Sequence, residues 1–440
     1  MKVLLIDHDG VGLAFALRCV KAGHQVRWFI QDKPSNAKRT GEGFRGIERV
    51  STWLPSAKWA DVIWLSNNDE YLPRLDVLRR HGARVFGPTA ASAKLEIDRA
   101  AGMRFLEEHG IAVPEWKSFP TLEAAAAHVR KTEKRYVFKT LGSAEDKSLS
   151  YVSKSPADML ERLARWQRLK LDAGGPVMLQ EFIEGNELGV SRWVGTDGFI
   201  GLFNENFEHK KLLSGNCGPN CGEAGTVMKY CEDSTLGEMV LQPLEEELVK
   251  LGHLGDVDLN CMIDKQGKPW ALEFTMRCGW PAFNIMLATH KGDPVEWMRD
   301  ALDGEDTLDC NTAIAAGVVV AQPDYPYSNA TQRETDGIPI YGVTDKNRRF
   351  IAPQGVRLEK RHEMDGETVA HKEGWVSASD YLCVVTGTGS SIRQACERAY
   401  DVVKELHVPD MIYRDDIGEK LERELPELQE HRFATEFTYY

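Results

Sequence analysis

The chain has 440 residues, which is long for one hydrophobic core, so its length predicts two to four domains. Its 67 acidic and 54 basic residues give a formal net charge of −13, which argues against a broad nucleic-acid-binding face but leaves room for a local cationic pocket. No apolar run approaches the roughly 18 residues of a membrane span, and the nine scattered cysteines favour reduced thiols in a cytoplasm.

The first ninety residues alternate strand-like runs with helical segments. The apolar run Val3 to Ile6 leads into the turn Asp7 to Gly12, and further strand-like runs follow at 25–30, 62–65 and 84–86. This β-α-β alternation predicts a parallel sheet. The turn lacks the full G-x-G-x-x-G spacing of a dinucleotide-binding loop, so a dehydrogenase is a weak alternative.

The pattern changes near Val113. Short strands interleaved with two helices predict an α+β module of antiparallel character, with strands at 136–139, 149–152, 177–182, 188–194 and 199–203. A helix near 236–251 and two strands joined by a turn follow, at 259–263 and 270–274. A final block from about residue 309 contains predicted strands at 313–320 and 381–386 and a helix at 391–406.

A lysine and a loop of small residues form the first candidate site. Lys139 ends a predicted buried strand, and the loop after it contains Gly142, Ser143 and Lys147. The backbone N–H groups of such a loop and the charges of the lysines suit the phosphates of a nucleotide. A surface loop with solvated lysines explains the pattern about as well. Further on, Glu187 could accept two ribose hydroxyls, although an acidic turn after a strand is the simpler interpretation.

Paired strands near residue 265 form the second candidate site. Antiparallel pairing can place Glu273 beside Asn260 or Asp258. A carboxylate within an apolar strand is costly unless it is paired or metal-bound, and hard oxygen ligands suit Mg²⁺. Arg277 could clamp a transferring phosphoryl group. A buried Glu273–Arg277 ion pair is the alternative.

A loop rich in Gly, Asn and Pro follows His209-Lys210-Lys211 and runs from Ser214 to Glu223. Its composition allows the backbone to approach a ligand closely. The spacing of Cys217 and Cys221 differs from that of a zinc motif and no second pair is evident, so metal binding by these cysteines is not expected.

Taken in order, these segments resemble the ATP-grasp superfamily, and more closely the glycinamide ribonucleotide synthetase (phosphoribosylamine–glycine ligase) family. The resemblance runs from Met1 to about Leu425. The segments that carry it most specifically are Gly87–Thr89 with the helix to Ile111, Leu179–Glu187, His209–Lys211 with Gly218–Gly222, Met262–Gly267 with Glu273–Gly279, and Tyr413–Gly418.

The resemblance implies a multidomain fold of α/β and α+β parts. These are an N-terminal Rossmann-like αβα domain (residues 1–92), an ATP-grasp domain (93–308) with a small lid subdomain at about 113–190, and a C-terminal α+β domain (309–440). It also implies a reaction that uses ATP and Mg²⁺, passes through an acyl phosphate and releases ADP.

By position, the resemblance implies roles for individual residues. The nucleotide would be held by Arg99, Lys139, Lys147, Glu181, Phe182 and Glu187. Mg²⁺ would be held by Glu273, with Asn260 and Thr275 as further ligands, and the catalytic residues would be Lys147, Glu273 and Arg277. The substrate would be held by His209, Lys210, Gly218, Pro219, Asn220 and Gly222.

The sequence departs from the family pattern mainly where the amine is expected to bind. Thr275 stands where the family usually has an asparagine ligand, for which Asn260 or Asp258 would compensate. The loops Asp9–Phe15 and Ser66–Glu70 replace glycine-rich family segments, and their acidic residues would repel a phosphate.

The sequence therefore predicts a cytoplasmic ADP-forming ligase that joins an amino acid, glycine first, to an amine. That amine is phosphoribosylamine, an amine-bearing nucleotide or a modified nucleobase. The alternatives are the ordinary purine-pathway ligase and an ATP-binding protein that has lost catalysis. The expected partners are small molecules, without a membrane, and the expected assembly is a monomer or a homodimer.

Overall fold

The computed structural model of the chain describes residues 1–31, 39–68, 70–141, 150–170, 175–323, 325–327 and 335–440. The N-terminal part is a five-stranded parallel sheet, in agreement with the β-α-β pattern. Its elements are β1 (Lys2–Asp7), α1 (Leu13–Lys21), β2 (Gln25–Ile30), β3 (Ile47–Arg49), α2 (Leu54–Ala57), β4 (Val62–Leu65), α3 (Leu72–Arg80) and β5 (Val85–Phe86), with the strands in the order β3-β2-β1-β4-β5. β1 is apolar on both faces because each face packs into a different core cluster.

A smaller antiparallel sheet follows, which we call the lid sheet. The elements up to its end are α4 (Ala90–Ile97), α5 (Arg99–Glu108), β6 (Trp116–Phe119), α6 (Leu122–Thr132), β7 (Tyr136–Thr140), β8 (Tyr151–Val152), α7 (Pro156–Arg168) and β9 (Val177–Glu181). Its strands lie in the order β6-β9-β7-β8. A separate core of apolar residues from α6, α7 and these strands supports it, with Phe138 packed on Trp166.

An eight-stranded antiparallel sheet, the large sheet, forms the rest of the centre in the order β16-β15-β10-β11-β14-β17-β21-β18. The elements up to residue 302 are β10 (Gly185–Val194), β11 (Phe199–Glu208), β12 (Lys211–Leu213), β13 (Cys217–Asn220), β14 (Gly225–Cys231), α8 (Thr235–Val240), α9 (Glu245–Lys250), β15 (Gly255–Asp264), β16 (Pro269–Thr275), α10 (Ala282–Met286) and α11 (Glu296–Leu302). The remaining elements are β17 (Ile314–Ala321), β18 (Ile351–Pro353), β19 (Val356–Asp365), β20 (Thr368–Ser377), β21 (Tyr381–Gly389), α12 (Ile392–Glu405) and α13 (Leu421–Glu430).

The predicted fold class is confirmed, and two local predictions change. The single helix expected at 236–251 is divided into α8 and α9 by a 3-10 turn at Gln242–Leu244, because Pro243 lacks the N–H that would continue the helix. The hairpin β19–β20 and the helix α13 were not predicted.

Strands from the C-terminal block complete the large sheet. β14 pairs with β17, and β17 pairs with β21. The sheet therefore crosses the predicted boundary at residue 308, and the domain limits remain predictions. Among the described residues no helix has the length and apolar character needed to cross a membrane.

Candidate active site

A cavity of about 370 Å³ lies between the lid sheet and one face of the large sheet. Its floor is a row of directly paired residues on neighbouring strands: Asn206 on β11, Gly189 on β10, Asn260 on β15 and Glu273 on β16. Paired residues of antiparallel strands point to the same face. Side chains alternate along a strand, and on β15 the alternate residues Asp256, Asp258, Asn260 and Met262 all line this cavity, which we call the active-site cavity.

Three cations surround Glu273. Its carboxylate lies 3.7 Å from Nε of Arg99, 3.6 Å from Nζ of Lys139 and 3.9 Å from Nζ of Lys210. Burial, together with the charges of Arg99 and Lys210, lowers the pKa of Lys139, although Glu273 opposes the shift. The predicted nucleotide residues Arg99 and Lys139 and the predicted metal residue Glu273 therefore lie together, in a cluster whose net charge favours phosphate oxygens.

Lys210 lies among carboxylates. Its Nζ donates to Oε1 of Glu187 at 2.6 Å and lies 3.2 Å from Oε2 of Glu208. Burial alone would lower the pKa of Lys210, but Glu187, Glu208 and Glu273 outweigh burial and hold it well above its ordinary value. The predicted ribose residue Glu187 and the predicted substrate residue Lys210 thus form one buried ion pair at the cavity.

The other end of the cavity is apolar and suits a planar base. Its lining residues there are Val137, Val152, Phe182, Ile183, Met262 and Leu272. The Arg135 guanidinium lies over the Phe182 ring, 3.4 Å from the ring centroid. Glu181 also lines the cavity, and its carboxylate pairs with Lys134 at 3.0 Å.

Arg277 pairs with a residue that the sequence analysis did not consider. Its NH2 lies 3.4 Å from Oε1 of Glu96, and its NH1 donates to the carbonyl of Cys278 at 2.9 Å. The alternative of a Glu273–Arg277 ion pair is therefore wrong. Glu96 also accepts from Nδ2 of Asn68 at 2.8 Å, so it connects Arg277 to the loop after β4.

Buried carboxylates lie beyond Lys210, and we call Glu208, Glu223 and Asp258 the acidic cluster. Oδ2 of Asp258 accepts from Nδ2 of Asn206 at 2.7 Å, and Oε2 of Glu208 accepts from Nδ2 of Asn260 at 3.0 Å. Burial and the neighbouring charge of Glu208 raise the pKa of Glu223 and of Asp258 well above the ordinary range. A cation entering this cluster would relieve both effects.

The residues at Glu273 fit a magnesium ion that shares its shell with phosphates. Asn260 is paired across the strands with Glu273, and its Oδ1 is buried without a hydrogen-bond partner among the described residues. Thr275 is paired with Asp258 and also lines the cavity. No group of three His, Cys, Asp or Glu is arranged for a metal in the described part of the chain, so such an ion needs phosphate or water oxygens as well.

The structure does not bring every predicted site residue into the cavity. Asn220 and Gly222 line it, whereas Gly218 and Pro219 lie on β13 outside its lining. His209 is buried and its Nε2 accepts from the backbone N–H of Gly418 at 3.1 Å, so it supports the C-terminal segment. Lys147, with Gly142 and Ser143, lies outside the described residues.

The sequence analysis missed Glu96, which pairs with Arg277, and the cavity residues Asn206, Glu208 and Asp256. The sequence did contain a signal for these cavity residues. Along β11, the polar residues Asn204, Asn206 and Glu208 alternate with Glu205 and an apolar residue. Along β15, the polar residues Asp256, Asp258 and Asn260 alternate with apolar residues. Such alternation marks a polar sheet face.

The loops after β1 and β4 approach the cavity beside Trp280, whose Nε1 donates to the carbonyl of Ser66 at 3.4 Å. Asp7 is fully buried and organises the first loop: it accepts from the backbone N–H groups of Gly10 and Gly12, from Ser66 and from Trp28. The acidic residue that begins this loop is therefore structural.

Comparison with known protein families agrees with this site. Residues 99–282 match the family model "Phosphoribosylglycinamide synthetase, ATP-grasp (A) domain", and residues 315–420 match "Phosphoribosylglycinamide synthetase, C domain". The fold and the site thus define an ATP-grasp ligase, an enzyme that forms a C–N bond between a carboxylate and an amine and uses ATP with Mg²⁺.

Individual relatives cover most of the chain. A phosphoribosylamine–glycine ligase from Escherichia coli O6:H1 is 30% identical over 368 residues, 80% of this chain and 81% of that protein. One from Allochromatium vinosum is 30% identical over 449 residues, 96% of this chain and 98% of that protein. The crystal structure of the Thermotoga maritima phosphoribosylamine–glycine ligase gives a TM-score of 0.72 at 23% identity and covers 95% of this chain and 100% of that one. The chain belongs to the phosphoribosylamine–glycine ligase family.

Proposed function

We propose that the chain transfers a phosphoryl group from ATP to the carboxylate of glycine and joins the activated glycine to phosphoribosylamine, the two substrates in the names of its relatives. The observation that supports this most directly is the division of the active-site cavity. Cations gather around Glu273 at one part of it, and an acidic cluster lies at another.

The cationic part suits the phosphates. Arg99 and Lys139 would bind phosphate oxygens, and Glu273 with Oδ1 of Asn260 would hold the magnesium ion. ATP with Mg²⁺ supplies the phosphoryl group and spreads its charge. Arg277 is placed by Glu96 at the edge of the cavity, where its guanidinium would stabilise the charge that develops on the carboxylate and the phosphoryl oxygens.

The acidic cluster favours a carboxylic-acid substrate that also carries an ammonium group. Glu223 and Asp258 have raised pKa values because burial and the nearby charge of Glu208 disfavour their ionised forms. An ammonium group would offset that charge, whereas a plain carboxylic acid would bring no compensation. This supports an amino acid as the substrate and is consistent with glycine.

For the amine substrate, a second candidate has specific support. In the loops after β1 and β4, the described residues include Asp9 and Glu70 but no Lys or Arg. A phosphate-bearing amine would meet these acids, whereas an amine with its charge elsewhere, such as an amine-bearing nucleoside or modified nucleobase, would avoid them.

The test is phosphate release from ATP and Mg²⁺ with each amino acid in turn, with hydroxylamine as a generic amine. We expect release and hydroxamate formation with glycine, and little with glycolate, which lacks the ammonium group. Phosphoribosylamine and amine-bearing nucleosides then compete against hydroxylamine to identify the amine. ATP binding without phosphate release, for every acid and amine tried, would instead indicate a protein that has lost catalysis.

A further inference from the structure

A second cavity, of about 750 Å³, lies between α1, α10 and the segment that ends in β18. α10 separates it from the active-site cavity. Ala282 and Met286 line the active-site cavity, whereas Asn284 and Leu287 line the second cavity. The two cavities therefore have α10 as a common wall but different linings.

The second cavity is strongly cationic in a chain whose net charge is −13. Its charged lining residues are the cations Arg18, Lys21, Lys291, Arg348 and Arg349 and the single carboxylate Asp345. Two of these cations have counter-charges, since Lys291 lies 3.2 Å from Asp309 and Arg348 lies 3.9 Å from Asp345. The excess of positive charge excludes a cationic ligand and favours an anion.

Arg18 is the cation of this cavity whose position is fixed by a hydrogen bond across it. Its NH1 donates to the carbonyl of Leu287 at 2.5 Å, which holds the side chain along α1 toward α10. Burial lowers the pKa of the Arg18 guanidinium, and no described carboxylate forms an ion pair with it. A half-buried guanidinium without a counter-ion is unfavourable, so a bound anion would stabilise it.

Two buried polar groups at the second cavity also lack partners. Asn284 is 2% exposed, and neither its Oδ1 nor its Nδ2 has a hydrogen bond among the described residues. Trp193 Nε1 donates to Tyr230 at 2.9 Å, and the Tyr230 hydroxyl lies 2.7 Å from Nε2 of His290. Burial lowers the pKa of His290 to about 3, so the ring is neutral.

The direction of these hydrogen bonds leaves one buried donor of His290 unpaired in the wall of the second cavity. Tyr230 accepts from Trp193 and therefore donates to Nε2 of His290, so the His290 proton is on Nδ1. That Nδ1 has no partner among the described residues. Leaving a buried donor unpaired costs about 1–3 kcal/mol, so this wall of the cavity contains polar groups that the fold itself does not satisfy.

We propose that the second cavity binds the phosphate monoester group of a small molecule. The phosphate would lie against Arg18 and Lys21, with Arg349 as a further cation of the lining. The opposite wall is apolar and includes Trp375 and Phe44, whose rings meet edge to face at 6.1 Å, and it suits the organic part of the molecule. This site goes beyond the proposed ligase reaction and does not depend on it.

The experiment is calorimetry on the full chain saturated with Mg²⁺ and a non-hydrolysable ATP analogue, so that the active-site cavity is filled. The probes are ribose 5-phosphate and AMP, titrated separately. We expect at least one of them to bind with a dissociation constant below about 1 mM. Tighter binding of AMP than of ribose 5-phosphate would indicate that the apolar wall contacts the base. Absence of binding by both probes would overturn the proposal.

Variants test the location. Arg18→Gln with Lys21→Gln should weaken probe binding at least tenfold, and Arg349→Gln should weaken it several-fold. Arg393→Gln, an exposed arginine elsewhere, is the matched control and should leave binding unchanged. Unchanged binding in the Arg18/Lys21 variant, at an unchanged melting temperature, would contradict the proposal. A failed ligase assay would leave this result unaffected, so the two ideas fail separately.

Discussion

Glu273 is the residue on which the charge balance of the active site depends. With Arg99, Lys139 and Lys210 all within 3.9 Å, its single negative charge is shared by three cations. When phosphates arrive they bring their own negative charge, and the carboxylate is then free to face a metal ion. Under the proposed function, the same residue would thus have one role without nucleotide and another with it.

This double role makes the effect of Glu273→Ala specific. We expect ADP formation to fall at least about 100-fold because a ligand of the catalytic metal is lost. ATP binding should persist or become tighter, since Arg99 and Lys139 then lose the carboxylate that they share. Phosphate release and calorimetric ATP binding check this, with exposed Glu184→Ala as the control. Normal phosphate release by Glu273→Ala would contradict the metal assignment.

Glu205 gives a prediction about pH. It is buried on the other face of β11, and burial raises its pKa to about 7 despite a hydrogen bond from Ser234. The unfolded chain releases this proton near pH 4, so the folded state holds it at higher pH and loses stability as the pH rises from about 4 to 7.

Glu205→Gln removes this titration. The difference in melting temperature, wild type minus variant, should therefore fall as the pH rises through that range, by the equivalent of roughly 3 kcal/mol. Thermal unfolding of both proteins between pH 4.5 and pH 8 measures it. A difference that stays constant or rises would show that Glu205 is ionised in the folded protein.

At the level of elements, the floor of the active site depends on close strand packing. An added Cβ at Gly189 would lie 2.3 Å from Oδ1 of Asn206, the amide that donates to Asp258. The glycine therefore leaves room for the polar side chains of β11 and β15 on either side of it.

Gly189→Ala should displace the Asn206 amide and lower kcat/KM for the amino acid at least tenfold, with a smaller effect on melting temperature. In the double variant with Asn206→Ala the clash is absent, so its activity should match that of Asn206→Ala alone. This non-additivity is the sign of direct contact. Effects that simply add would place the defect elsewhere.

The same strands show what the sequence could predict. The positions of β10, β15, β16, β17 and β21 follow from apolar periodicity, and the resemblance identified Arg99, Lys139, Glu187 and Glu273, which the fold does bring together. Asn206 and Glu208 were missed because alternation along one strand marks a polar face but does not show what that face meets until the neighbouring strands are known. The partner of Arg277 was missed for a similar reason, since Glu96 lies far from it in the chain.

For the whole molecule, the large sheet joins two parts that the sequence separates. β14 pairs with β17 from Gly225 to Met228, and β17 pairs with β21 along its length. A fragment ending at residue 308 would expose an unpaired edge at β14 and the side of α10 that packs on β17 and β21. Exposed edges of this kind pair with other chains.

We therefore expect the fragment 1–308 to aggregate, whereas the full chain gives a single species. Size-exclusion chromatography with light scattering compares the two at equal concentration. A fragment that stays monodisperse and melts cooperatively would show that the first 308 residues fold independently.

The lid sheet is connected to the large sheet at one side by only Phe182, Ile183 and Glu184, between β9 and β10. The end of this connection is held tightly, since an added Cβ at Gly185 would lie 2.0 Å from the carbonyl oxygen of Ile263. Rotation of the lid sheet toward the large sheet would have to be absorbed here and in the segment between α5 and β6, so these residues lie where a hinge is expected. Phe182 and Ile183 also line the apolar end of the active-site cavity. The residues at which a hinge is expected would thus also form part of the wall that suits a base. Binding in the cavity and closure of the lid sheet would therefore favour one another by direct contact, without any relay through the rest of the fold.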